Sequence, residues 1–195
     1  MKLAIVKYNA GNIQSVLFAL ERIGVEGQVT DDPDLLRSAD KVIFPGVGEA
    51  RSAMQYLRGR GLDQVIRELK QPVLGICLGM QLLCRHSEEN DTDCLGLIPV
   101  SVRKFPALPG LKIPQIGWND IYELESALFA GIPDHSYVYH VHGYYAEDSP
   151  YTIARCNYGL AYAAAIRRDN FFGLQFHTEK SAAIGEQILS NFLRL

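Results

Sequence analysis

The chain has 195 residues, 48% hydrophobic and 21% charged, enough for one globular domain with a substantial core. A net charge of -3 argues against a nucleic-acid groove or a surface for anionic membranes. The 4 cysteines, Cys77, Cys84, Cys94 and Cys156, follow neither a zinc-ligand spacing nor the pattern of a small disulfide scaffold. Free thiols in a reducing cytoplasm are therefore expected, with no metal and no cofactor.

In chain order, residues 2–6 form a short apolar strand, not the core of a signal peptide, and no apolar run is long enough to span a membrane. Asn12 is a candidate N-cap for a helix carrying Ile13, Val16, Leu17 and Leu20 on one face and ended by Gly24. Residues 27–30 read as a second strand, and Asp32-Pro33 as the N-cap and first position of a short helix. Residues 41–44 read as a third strand, running into the loop Pro45-Gly46-Val47-Gly48. Helical spacing follows through Met54, Leu57, Leu62, Val65, Ile66 and Leu69. Residues 72–76 form a buried strand, and residues 80–85 begin a helix. This alternation predicts a parallel sheet with helices on both faces, binding ligands beyond the carboxyl ends of its strands.

The second half is rich in strands: residues 97–105, 137–142, 151–156, 160–166 and 171–177 are extended in character, with Gly, Pro, Asp and Asn between them. A helix around Ile184, Ile188 and Phe192 closes the chain. The expected architecture is one α/β domain over residues 1–195. Its central sheet should be mixed and mostly parallel, flanked by helices, with an antiparallel extension.

Gly75-Ile76-Cys77-Leu78-Gly79 has the form of a nucleophile elbow with cysteine in place of serine. A sharp strand-to-helix turn pushes such a side chain into open space, and the helix N-terminus favours a thiolate. A cysteine nucleophile needs a base. His177 is the candidate, with Glu179 two residues on, on the same side of an extended chain, to hold the ring. The backbone N–H of Leu78 and the glycine-rich loop at Val47 and Gly48 could donate to an oxyanion. His140 and His142 also alternate on one strand; packing or contact with substrate is the expected role, since no third metal ligand is evident. His86 and His135 read as exposed helix and loop residues.

Together these pieces resemble the class I, triad-type glutamine amidotransferases. The resemblance is carried by Gly-Ile-Cys77-Leu-Gly-Met-Gln81 and Gln-Phe-His177-Thr-Glu179-Lys-Ser181. Four further stretches point to the branch that serves a separate (β/α)8 cyclase subunit in histidine biosynthesis. They are Tyr8-Asn-Ala-Gly-Asn12, Pro45-Gly-Val-Gly48, Pro114-Gln-Ile-Gly-Trp118-Asn119 and Tyr139-His-Val-His-Gly143-Tyr144. The resemblance implies a flavodoxin-like fold and attack by Cys77 on the side-chain amide of glutamine. His177 would protonate the departing ammonia and later activate water, and Glu179 would orient His177. Leu78 and the Val47-Gly48 peptide would form the oxyanion hole. Gln81, Glu89 and Tyr144, with the backbone near Gly48 and Gly143, would hold glutamine. Asn12, Ser15, Trp118, Tyr139 and Lys180 would face the cyclase in a heterodimer. The resemblance also implies slow hydrolysis until the cyclase docks with its nucleotide, because the resting oxyanion loop is wrongly oriented.

The chain departs from the branch at four places: Thr178 for proline, Gly143 for serine or threonine, His140 for phenylalanine, and Lys7 for aspartate. Thr178 is expected to loosen the local backbone without removing the triad. Three other readings compete. One is an amidotransferase feeding guanylate, anthranilate or pyridoxal phosphate synthesis. Another is a catalytically idle regulatory subunit, and the last is a cysteine hydrolase of another amide, or a peptidase.

Overall fold

The computed structural model describes residues 1–9 and 12–195. Two residues of the Tyr8–Asn12 motif, 10 and 11, lie outside the described residues. The parallel core is built from β1 (Leu3–Val6), β2 (Gln28–Thr30), β3 (Lys41–Phe44), β4 (Val73–Ile76) and β13 (Phe171–Leu174). They lie in the order β2-β1-β3-β4-β13, every neighbouring pair parallel. β1, β3, β4 and β13 are buried at every residue, as parallel strands with both faces covered must be.

Side-chain alternation divides the interior into two cores, one on each face of the sheet. Ala4, Val6, Val42 and Phe44 point into one core with Met54, Leu57 and Ile66. The last three come from α3 (Ala50–Gly59) and α4 (Leu62–Glu68). Leu3, Ile5 and Ile43 point into the other with Val16, Leu20, Ile188 and Phe192. The last four come from α1 (Ile13–Arg22) and α6 (Ala182–Arg194). The short α2 (Pro33–Ser38) starts as expected, with the Asp32 carboxylate accepting from Asp34 N–H and Leu35 N–H.

Beyond β13 the sheet turns antiparallel through β12 (Ala161–Arg168), β10 (Tyr144–Ala146) and β7 (Ile98–Lys104), with β11 (Thr152–Asn157) beside β12. β5 (Cys84–Ser87) and β6 (Thr92–Asp93) finish that edge. β8 (Gln115–Ile121) and β9 (Ser136–His142) form a separate antiparallel ribbon, with Trp118 opposite Tyr139.

Three local expectations are corrected. The helix after Cys77, α5 (Leu78–Leu83), stops before Arg85 because Cys84 pairs with Ile98 and pulls the chain into β5. His86 is therefore a half-buried strand residue bonded to Asp91 at 2.9 Å, not an exposed helix residue. β13 ends at Leu174, so His177 and Glu179 do not share an extended strand. Residues Thr178–Lys180 form a 3-10 turn instead.

Candidate active site

β4 and β13 are parallel neighbours, with Ile76 opposite Leu174. The chain leaving each strand emerges at the same end of the sheet, and this brings Cys77 beside His177. Cys77 has φ 52 and ψ -108, a conformation that costs a non-glycine residue energy and persists only where its surroundings hold it. Its N–H donates to the Leu174 carbonyl at 2.7 Å. The elbow is tight because Gly79 lies directly against the Phe44 carbonyl, where a methyl group has no room.

His177 is fixed by two elements, β9 and the turn that follows it. Its N–H donates to the Tyr139 carbonyl at 2.9 Å. Its carbonyl accepts from Ser181 Oγ at 2.6 Å, and Ser181 Oγ in turn accepts the Tyr139 N–H at 2.9 Å. His177 Nδ1 lies 2.7 Å from Glu179 Oε1, with both side chains 2% exposed. The 3-10 turn swings Glu179 back to the ring that an extended chain was expected to reach. Burial alone would lower the His177 pKa, but hydrogen bonds to Cys77 and to Glu179 prevail and raise it to about 10. At neutral pH the ring is thus an imidazolium lodged between the Cys77 thiol group and a carboxylate. Thr178 is fully buried, and its carbonyl accepts the Ser181 N–H at 3.1 Å. Thr178 Oγ1 and Glu179 Oε2 are buried without partners among the described residues.

Cys77 opens into a cavity of about 260 Å³ lined by Val47, Gly48, Leu78, Gln81, Glu89, Pro114, Val141, His142, Gly143 and Tyr144. Every residue expected to hold substrate or oxyanion borders this one space. Gln81 Nε2 donates to the Tyr144 carbonyl at 3.1 Å and to Gln175 Oε1 at 3.0 Å. Both N–H donors of that amide are engaged, which leaves its oxygen for a ligand. Glu89 accepts the Ala50 N–H at 2.8 Å. Burial raises the Glu89 pKa, the Ala50 bond opposes this, and the Glu49 charge adds to it. A cationic ligand group in the cavity would reverse that balance.

Two neighbours of the sulfur were missed in the sequence reading. Gln175 Nε2 lies 3.8 Å from Cys77 Sγ, and the Val141 carbonyl 3.7 Å from it. The signal for Gln175 was present, as a polar residue directly before Phe176-His177 in an apolar run. Val141 acts through its backbone and left no trace in side-chain chemistry. Leu78 N–H, expected in the oxyanion hole, donates to the Gly46 carbonyl at 3.2 Å. Gly48 in the same loop has φ 131, a conformation that strongly favours glycine.

The residues expected at a partner face divide in two. Trp118 is 53% exposed and packs edge-on against Tyr139 at 5.8 Å. Lys180 Nζ stands over the same Tyr139 ring at 5.9 Å. These three make one patch beside the triad turn, and its two aromatic residues are of the type enriched at interfaces. Ser15 is half-buried on α1. Asn12, also half-buried, turns inward, its amide donating to Glu179 Oε1 at 2.8 Å.

His140 and His142 are buried and lie 3.3 Å apart. His142 Nδ1 is 2.8 Å from the Tyr144 carbonyl, so that nitrogen carries the proton and Nε2 accepts. The Tyr162 hydroxyl sits 3.2 Å from His142 Nε2 and donates to Gln115 Oε1 at 2.9 Å. Packing and a neutral hydrogen-bond network account for both rings. His135 is an exposed residue before β9, as expected.

The family model described as "Glutamine amidotransferase class-I" matches residues 5–195. The chain is 53% identical over 196 residues to "Imidazole glycerol phosphate synthase subunit HisH" of Bacteroides fragilis strain ATCC 25285, covering 100% of both chains. It is 47% identical over 197 residues to the protein of the same description from Escherichia coli strain K12, again covering 100% of both. Among solved structures, one described as a glutamine amidotransferase superposes with a TM-score of 0.77 at 18% identity, covering 100% of this chain and 98% of that one. PurLQS from Thermotoga maritima matches with a TM-score of 0.69 at 19% identity, covering 99% and 97%. At such identities these two speak for the fold alone.

Proposed function

The chain belongs to the class I glutamine amidotransferase family, and from that premise we propose that it is the glutaminase subunit of an imidazole glycerol phosphate synthase. Full-length relatives at 53% and 47% identity are described as subunits of imidazole glycerol phosphate synthase. The observation that carries the chemistry is the buried His177 ring, bonded to Glu179 and raised to about 10 by that bond and its bond to Cys77.

In this reading the Cys77 thiolate attacks the side-chain carboxamide carbon of glutamine. The carbonyl oxygen takes the charge, to be met by Leu78 N–H and by the Val47-Gly48 peptide. Collapse breaks the C–N bond while the His177 imidazolium gives its Nε2 proton to the leaving nitrogen, so ammonia departs and a glutamyl thioester remains on Cys77. Neutral His177 then takes a proton from water, whose oxygen attacks the thioester. Glutamate leaves, and the thiolate–imidazolium pair is restored. Glu179 steadies the ring in both half-reactions. Glu89 suits the α-ammonium of glutamine, with Gln81, Tyr144 and the backbone at Gly48 and Gly143 along the rest of it.

The description that the relatives carry implies an assembly. We assign the partner as a (β/α)8 cyclase that receives the ammonia and makes imidazole glycerol phosphate and AICAR, docked on Trp118, Tyr139, Lys180 and the α1 start at Asn12 and Ser15. The chain acts as a single domain over residues 1–195, and its place is the cytoplasm. Among the described residues no helix is long and apolar enough to cross a membrane.

Two assays test this. Cys77→Ala should release no ammonia from glutamine while still binding the cyclase; release by the variant would overturn the nucleophile. Adding purified cyclase with its nucleotide substrate should raise glutaminase turnover greatly, and an unchanged rate would overturn the choice of partner.

A further inference from the structure

Asn12 stands at the N-terminus of α1 with φ 73 and ψ 16, a left-handed conformation that asparagine tolerates better than most residues. An asparagine at this position ordinarily turns its side chain onto the free N–H groups of its own helix. Asn12 makes no such bond. Its amide nitrogen lies 2.8 Å from Glu179 Oε1, the same oxygen that His177 Nδ1 approaches at 2.7 Å. The other carboxylate oxygen, Oε2, is buried and has no partner among the described residues. A carboxylate held at one oxygen by a single donor can pivot around that contact. A second donor arriving from another element removes the pivot.

We propose that Asn12 is a positioning residue of the triad: its amide fixes Glu179 Oε1 against His177 Nδ1, and so aims His177 Nε2 at Cys77. The inference rests on the triad reading above and goes beyond the partner-facing role expected for Asn12. It separates cleanly from helix capping. Aspartate caps a helix as well as asparagine does and also tolerates the left-handed region, but an ionised aspartate only accepts hydrogen bonds. Facing Glu179 it would repel, until one carboxyl of the pair takes up a proton and becomes a donor.

The test uses the isolated full-length chain, without cyclase, and follows alkylation of Cys77 by iodoacetamide across pH, with Cys77→Ser as the blank. In Asn12→Asp the rate at pH 8 should fall about tenfold relative to wild type, the effect of one hydrogen bond to a charged group. The ratio of variant to wild type should recover as pH falls. With glutamine, kcat should fall alike and KM stay unchanged. Asn12→Ala, which adds no titratable group, should lose a similar factor at every pH. Wild-type reactivity in Asn12→Asp at pH 8, or a loss that does not depend on pH, would overturn the inference. A wild-type Cys77 that reacts like an ordinary free thiol would remove the triad itself and the inference with it, a result read without any variant.

Discussion

The backbone N–H of Leu78 donates to the carbonyl of Gly46 across 3.2 Å. That N–H is the donor the nucleophile elbow should offer to an oxyanion, and here it is occupied by the loop expected to provide the second donor. Removing one such donor costs catalysis about 3 kcal/mol, so an enzyme held in this arrangement is expected to turn over slowly. The loop is held in turn by Tyr8, whose hydroxyl donates to the Pro45 carbonyl at 2.7 Å.

Tyr8→Phe removes that hydroxyl and leaves the ring packed on Phe44, now 5.2 Å away between centroids. Losing one neutral hydrogen bond shifts an equilibrium about fivefold. The expected outcome is a basal glutaminase rate raised by about that factor and a smaller stimulation by the cyclase. Steady-state assays with and without the partner check it, and an unchanged basal rate would show that Tyr8 does not hold the loop shut.

The His177 ring should titrate near 10 and not near 6.5, because its bonds to Cys77 and Glu179 outweigh burial. A folded pKa raised above the unfolded one means stability that is complete below pH ~6.5 and is lost as pH rises through about 10. Ammonia release should decline over the same upper limb, since the departing nitrogen needs the imidazolium proton. Ring chemical shifts followed by NMR test this directly, and a midpoint near neutrality would contradict it.

His140 and His142 shift the other way. Burial, with the charges of His142 and His177, holds His140 well below its ordinary value. Burial lowers His142 to about 4 against the opposing bond to the Tyr144 carbonyl, with the His177 charge lowering it further. The unfolded chain binds protons at these rings below pH ~6.5 and the folded chain does not, so stability falls as pH drops from there towards about 4. His140→Phe removes one of the two groups and places an apolar ring against Phe176, whose ring centroid is 5.9 Å away. Denaturant midpoints at pH 5 and pH 7.5 should lie closer together in the variant; an equal or wider gap would refute the assignment.

Two glycines of the site should respond oppositely to substitution. A methyl group at Gly79 would press into the Phe44 carbonyl, so Gly79→Ala should cost about 3 kcal/mol or more and disturb the elbow. A β-carbon at Gly143 meets only Pro114 at 3.7 Å and Ile113 at 3.9 Å. Gly143→Ser should therefore fold within about 0.5 kcal/mol of wild type. Urea denaturation of both variants decides, and equal losses would mean the elbow is not packed as described.

Much of the architecture was legible in the residues. The fully buried strands read as apolar runs, and Cys77 between two glycines read as an elbow because so few residue patterns permit that turn. β8 was not legible. Its exposed face carries Ile116 and Trp118, 63% and 53% exposed, while Gln115 is buried, so the usual inward-apolar alternation is inverted. The end of α5 was illegible for another reason. Leu78 to Cys84 are all buried, and a continuous apolar run does not distinguish helix from strand until a partner such as Ile98 chooses.

The sequence by itself determined which chemistry the chain carries: a thiol on a tight turn, an imidazole and a carboxylate downstream, and apolar strands able to stack in parallel. Only the tertiary structure decided how those groups are connected. It turned Asn12 inward to Glu179, brought the carboxylate back through a 3-10 turn, and closed Leu78 onto Gly46. The reason is physical. Residue type sets what a group can donate or accept, but which partner it finds depends on distances and angles between segments as far apart as 167 positions, and local periodicity carries no record of those.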